Sequence, residues 1–300
     1  MSYENIFAKA CLIQLSTSCW TGTRMLQAGV MESIGNSEWL KGRKLLINPE
    51  LLGPIKTTIH RARQIVAKSA LPFPLTGLYL VSKESIEQVD AQLETIKADF
   101  WNKVDGFLSF YADAREEARH VLGELFNETD YPENIQDKFR FEWRFVTLAT
   151  PTQSSILTPE LYTREVEKFQ SLMTEARDLS ILALREEFGG LVGHLVERMT
   201  TGKPKSFKST MLNGLKEFFE TFNDRNIFDD AKLAEMVEEA KGIVSQASVG
   251  PFGSTLSYNE VVRRRFSDDM AVLKMAIDES LEELPRRRIR IGEECLQEAA

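Results

Sequence analysis

The chain has 300 residues, 43% of them hydrophobic and 27% charged, with only 17 Gly and 10 Pro, which supports a sizeable core and excludes a disordered or collagen-like chain. Its formal charge of −8 is unevenly spread: residues 1–81 carry nine Lys/Arg against four Glu, a local +5, and the rest carries −13. A phosphate-binding surface is therefore expected only towards the N-terminal end, and without a signal peptide or an apolar run near 18 residues the expectation is a soluble cytoplasmic protein.

In chain order, residues 10–20 alternate Cys11, Ile13, Leu15, Thr17 and Cys19 against Leu12, Gln14, Ser16, Ser18 and Trp20. A period of two predicts a strand, closed by Thr21-Gly22. Cys11 and Cys19 would lie roughly 26 Å apart at strand rise, too far for a disulfide. Cys295 stands near the far end, so all three cysteines are expected to be reduced.

Asn48-Pro49-Glu50 predicts a helix start, Asn as cap and Pro at the first helical position. Leu52, Ile55, Ile59, Ala62 and Val66 give that helix one apolar face, and Leu71-Pro72-Phe73-Pro74 ends it. The continuous apolar run Leu78 to Val81 predicts a short buried strand. Ser82 then caps the next helix.

That helix carries the longest pattern in the chain. Ile86, Val89, Leu93, Ile96, Phe100, Val104, Phe107, Tyr111, Ala114, Ala118, Val121 and Leu125 recur at alternating steps of three and four, with one extra step of four at Val104. Such a heptad seam needs a partner laid along it. Phe139, Phe141, Trp143 and Phe145, alternating with Arg140, Glu142 and Arg144, predict an aromatic-faced strand. Thr158-Pro159-Glu160 opens a second long helix through Tyr162, Val166, Phe169, Met173, Ala176, Leu179, Ala183, Phe188, Leu191 and Leu195, long enough to be the antiparallel partner of the first.

Gly202-Lys203-Pro204 ends it, and amphipathic helices are expected near 208–222, 230–246 and 258–284, with a Gly-Pro-Phe-Gly-Ser loop between the last two. The fold class expected is mostly α with a small β-sheet: a long antiparallel coiled-coil hairpin plus C-terminal helices. The division expected is residues 1–200, sheet and hairpin arm, and 201–300, a C-terminal helical segment with a basic tail.

Motifs for chemistry are sparse. His60, His120 and His194 show no His-x-x-x-His or Glu-x-x-His spacing. Thr200-Thr201-Gly202-Lys203-Pro204 lacks the upstream glycine of a phosphate loop and has proline where Ser or Thr should meet magnesium. Gly189, Gly190 and Gly193 fall within a helix, where small residues permit close helix approach. Carboxylate pairs such as Glu116-Glu117 and Glu186-Glu187 read as solvated faces, and Trp143 with its flanking phenylalanines reads as core. No catalytic, cofactor or metal residue is assigned, and no cofactor is expected. Two basic groups offer phosphate contacts: Lys56, Arg61, Arg63 and Lys68 on the capped helix, together with Lys41, Arg43 and Lys44, and Arg286, Arg287, Arg288 and Arg290 in the tail, with Arg263-Arg264-Arg265. Both lack interleaved aromatics for base stacking, so a solvated or self-pairing face competes with nucleic acid.

Several of these patterns together resemble a bacterial and phage family described only as a domain of unknown function. The residues that carry the resemblance are Trp20, Gly22 and Arg24, then Asn48-Pro49-Glu50, Tyr79-Leu80-Val81, Phe100-Trp101, Phe110-Tyr111 and Phe139 to Phe145, spanning roughly residues 8 to 200. The resemblance implies genes on plasmids, integrative elements and phages, beside a MoxR- or CobS-type AAA+ ATPase and a von Willebrand factor A-domain protein. It implies no catalytic residues. The function expected is a non-enzymatic scaffold or adaptor of a phage or mobile element, self-associating or working with the ATPase; the alternative is a DNA-binding protein using the two basic groups.

Overall fold

The computed structural model describes residues 6–32, 35, 39, 41–149, 157–201, 212–248 and 260–284. The strands are β1 Ala10–Ser18, β2 Thr23–Met25, β3 Arg43–Leu45, β4 Ala70–Pro72, β5 Leu78–Ser82 and β6 Arg140–Val146. The helices are α1 Ile6–Lys9, α2 Ala28–Glu32, α3 Gly53–Ser69, α4 Ile86–Leu122, α5 Pro159–Thr201, α6 Asn213–Arg225, α7 Ala231–Ser248 and α8 Glu260–Glu282. The chain is mostly helical with a small sheet, as the periodicities predict.

It divides into two compact units: a sheet unit of Cys11–Ala70 and Gly77–Thr147, and a helical unit of Met1–Ala10, Leu71–Thr76 and Leu148–Ala300. Residue 200, the boundary expected from sequence, lies inside the helical unit.

In the sheet unit β5, β1 and β6 lie side by side in that order, and β2 and β3 form a separate antiparallel pair. β1 pairs antiparallel with β6, setting Ile13 opposite Phe145, Leu15 opposite Trp143 and Thr17 opposite Phe141. The alternate pairs, Gln14 with Arg144, Ser16 with Glu142 and Ser18 with Arg140, put the polar set on the other face. The Asn48 cap forms as its sequence predicts: Oδ1 accepts from the Glu50 N–H at 3.0 Å, opening a single 3₁₀ turn, Pro49–Leu52, that leads into α3. Gly22 adopts φ +64°, and its carbonyl accepts from the Leu46 N–H at 2.8 Å, carrying the chain from β1 into β2.

The seam of α4 is buried from Val89 through Ala118. What covers it is α3, through Ile55, Ile59, Ala62 and Val66, together with the apolar face of β1 and β6. Rings bridge the layers: Phe100 lies 5.3 Å from Phe141, Phe107 5.7 Å from Phe139, and Trp20 meets Tyr111 edge-on at 5.8 Å. Each buried ring contributes roughly 1.5–3 kcal/mol of transfer free energy. The seam's partner is thus a shorter helix and a sheet of the same unit, where the sequence leads one to expect a second long helix. A heptad stripe fixes which side of a helix is apolar; it does not dictate what covers that side.

In the helical unit, α5 packs along α8, with α6 against α5 and α7 against α8. Phe188 of α5 stacks on Phe218 of α6 at 5.2 Å. The α5 glycines do what small residues do at a helix crossing: a Cβ on Gly189 would come within 3.0 Å of Ile277, and one on Gly193 within 2.9 Å of Lys274, both on α8. The Gly-Pro-Phe-Gly-Ser loop, Cys295 and the tail arginines Arg286, Arg287, Arg288 and Arg290 lie outside the described residues.

Candidate interaction surfaces

Lys56, Arg61, Arg63 and Lys68 are all exposed on α3, as is His60. The helix turns two of them towards its own unit. Arg61 Nη1 donates to Asp99 Oδ2 of α4 at 3.1 Å, and Asp99 also holds Lys103 at 2.9 Å. Arg63 Nη2 donates to Thr17 Oγ1 of β1 at 3.4 Å. Nearby, Asp130 gathers Lys44 at 2.6 Å and Arg24 at 3.3 Å. Part of the N-terminal positive charge therefore neutralises acidic residues of the same unit, while Lys56 and the outer edge of α3 still face solvent.

Trp143 is half-buried on β6, an outer strand of the sheet, rather than wholly in the core. Its indole N–H donates to Asp90 Oδ1 at 2.8 Å, and the Lys97 ammonium lies 5.0 Å from the ring centroid. Asp90, Glu94, Lys97, Glu142 and Phe145 share a shallow cleft with it. A hydrogen bond from Arg140 holds the Glu142 carboxyl below the usual carboxylate range. Glu165 and Glu283 move the same way, each through a hydrogen-bonded lysine, Lys168 and Lys232. A general acid at neutral pH needs the opposite displacement.

Among the described residues no group of three or more His, Cys, Asp or Glu is placed to hold a metal ion. Cys11 and Cys19 are free, and burial pushes both thiols up. Glu187, on a stretch that reads as a solvated face, is bonded to the buried Arg225 at 3.1 and 2.5 Å.

The most informative surface lies where the α4 seam ends. Its buried positions stop at Ala118, but the apolar repeat continues for two more rungs, and these leave the core: Val121 is 77% exposed and Leu125 39%. Gly123, at φ +52°, ends the helix there. Val121 and Leu122 line a groove with Ala114 and Ala118 on one wall and Leu45, Ile47 and Pro49 on the other. Leu45 is itself 52% exposed.

Over residues 7–224 the chain matches the family described as "Protein of unknown function (DUF3150)". The chain belongs to this family. Comparison with curated proteins and with solved structures gave no match. The DUF3150 region takes in the whole sheet unit, the α3 basic face and the α4 groove, and continues through α5 to the last turn of α6. α7 and α8 follow it. No helix among the described residues is long and apolar enough to cross a membrane.

Proposed function

We propose that this DUF3150 protein is a non-enzymatic helical adaptor that docks a protein partner in the apolar groove at the end of α4. The observation that carries the reading is the overshoot of the seam: Val121 and Leu125 continue the apolar repeat past the point where the unit's own core covers it. An apolar helix end beside exposed Leu45 suits an amphipathic helix laid into the groove by its apolar face. The resemblance to genes found beside MoxR- or CobS-type AAA+ ATPases makes that ATPase the first partner to test, with the von Willebrand factor A-domain protein second. The experiment is co-purification of the full chain with the neighbouring ATPase, comparing wild type with Val121→Glu and Leu45→Glu. Loss of the complex, with the circular dichroism spectrum unchanged, supports the reading. Binding that survives both substitutions sinks it, and so does turnover that depends on one named side chain.

The exposed α3 face supports a second reading, contact with nucleic-acid phosphates through Lys56, Arg61, Arg63 and Lys68. It requires duplex affinity that falls steeply with salt and disappears when Lys56, Arg61 and Arg63 become Glu. A flat salt response rejects it.

A further inference from the structure

α8 has two contrasting faces. Phe266, Met270, Leu273 and Ile277 are buried within the helical unit. On the other side Arg265, Asp268, Val272, Met275, Glu279 and Glu282 recur at alternating steps of three and four, a second heptad stripe that spans roughly 26 Å at helical rise. Its centre is apolar and open to solvent, with Val272 64% and Met275 72% exposed. Its C-terminal end is acidic, with Glu279 and Glu282, while its N-terminal end carries Arg265 with Asp268 one step further in.

The order of those charges is informative. Arg263, Arg264 and Arg265 stand near the N-terminal end of α8, while Asp278, Glu279, Glu282 and Glu283 crowd the C-terminal end, whose last turn contains no basic residue. The helix dipole disfavours the C-terminal crowding, whereas the first turn opens on Glu260, which lies 3.5 Å from Arg264. The helical unit answers only part of this. Lys274 holds Asp278 at 2.6 Å and Lys232 holds Glu283 at 2.5 Å, but Glu279 and Glu282 make no ion pair among the described residues. Arg265 is 3.9 Å from Asp269, its side chain 80% exposed.

We propose that α8 is a self-association surface, on which a second copy of the chain lays its own α8 antiparallel about a two-fold axis near Val272. Antiparallel pairing gathers Val272 and Met275 of both copies at the centre. It sets Arg265 of each copy opposite Glu279 of the other, bringing a cation to each acidic C-terminal end, and leaves Asp268 at the solvent-facing rim beside the other copy's Met275. The contact is isologous, so every favourable pair occurs twice. One helix pair buries an area at the low end for stable interfaces, so the dimer is concentration-dependent and sensitive to salt. The surface lies outside the DUF3150 match and shares no residue with the groove, so it stands or falls separately from the adaptor reading.

The test is light scattering coupled to size-exclusion chromatography on the full chain over a range of loading concentrations, at low and high salt. The wild type is expected to move from 34.1 kDa towards twice that mass as concentration rises. Val272→Glu with Met275→Glu should hold it at the monomer mass. Arg265→Glu alone and Glu279→Arg alone should each weaken the dimer roughly tenfold, since each puts like charges opposite one another at two symmetric places. An equimolar mixture of the two single variants should recover the dimer, because each then presents the sign the other requires. A fold defect would not be repaired by mixing. A wild type that stays monomeric throughout, a dimer indifferent to these substitutions, or single variants that mixing does not rescue overturns the proposal.

Discussion

Arg185 grips Asp230 through two parallel hydrogen bonds, Nε to Oδ2 at 2.8 Å and Nη2 to Oδ1 at 2.9 Å, with both side chains almost wholly buried. Nη1 of the same guanidinium donates to the Ser280 carbonyl at 2.7 Å, so one α5 side chain ties down the start of α7 and the end of α8. Asp230 also accepts from the Leu233 N–H at 3.2 Å, capping α7. Removing one partner strands the other charge without solvent: Arg185→Ala or Asp230→Ala is expected to cost about 3–5 kcal/mol in urea unfolding. Arg185→Met with Asp230→Leu should recover most of that loss, because no charge is then left buried alone. A double variant as unstable as either single one would show that the specific geometry matters more than the stranded charge.

Phe100 and Val121 occupy equivalent rungs of the α4 seam, the first fully buried and the second 77% exposed. Phe100→Ala is expected to destabilise by about 3–5 kcal/mol, and Val121→Ala by less than about 0.5 kcal/mol. The contrast separates the part of the seam that holds the fold from the part left for a partner. A large loss at Val121 would assign it to the core instead.

Gly22 sits at φ +64°, and a Cβ there would meet Ile47 and Leu52 side chains at 3.3 Å. Gly22→Ala therefore combines backbone strain with crowding, and about 1–3 kcal/mol of destabilisation is expected. Chemical denaturation measures it, and a neutral result would place the turn in a different conformation.

Burial raises the Cys19 thiol pKa, partly opposed by the nearby Lys56 cation. The rate of alkylation at Cys19, followed by peptide mass mapping, should rise with pH about a midpoint above that of an ordinary thiol. Lys56→Glu should push the midpoint higher still by removing the opposing charge. Denaturant should bring it back down. A midpoint in the native protein matching that of the unfolded chain would contradict the burial.

Local patterns in this chain are legible one residue at a time. The alternation in β1 and β6, the Asn48 cap and the seam from Val89 to Ala118 each depend on neighbours a few positions away, and each forms as the spacing predicts. The match over residues 7–224 likewise takes in the span of the resemblance read between 8 and 200. What covers each apolar face is a different kind of information. Nothing in the α4 stripe distinguishes α3 and a sheet from another long helix, because all of them bury the same side chains.

Charged residues were the hardest to read. Arg185 and Glu187 flank Glu186 in a run that looks solvated, yet Arg185 is buried on Asp230, 45 positions away, and Glu187 pairs with Arg225, 38 positions away. No periodicity announces such a bond; only the fold brings the partners together. The end of the seam shows the converse. The repeat predicts that Val121 and Leu125 belong with the buried rungs, and the core they would join stops short of them.

The helical unit is assembled from chain on both sides of the sheet unit, and Lys9 meets Asp229 at 3.0 Å across 220 positions. A ribosome finishes the sheet unit at Thr147, while the lysine's acceptor is still unmade. At about 5–20 residues per second the delay between the two is roughly 4–16 s. During synthesis the sheet unit can close first, and the Lys9 segment, made before it, is among the last to find its place.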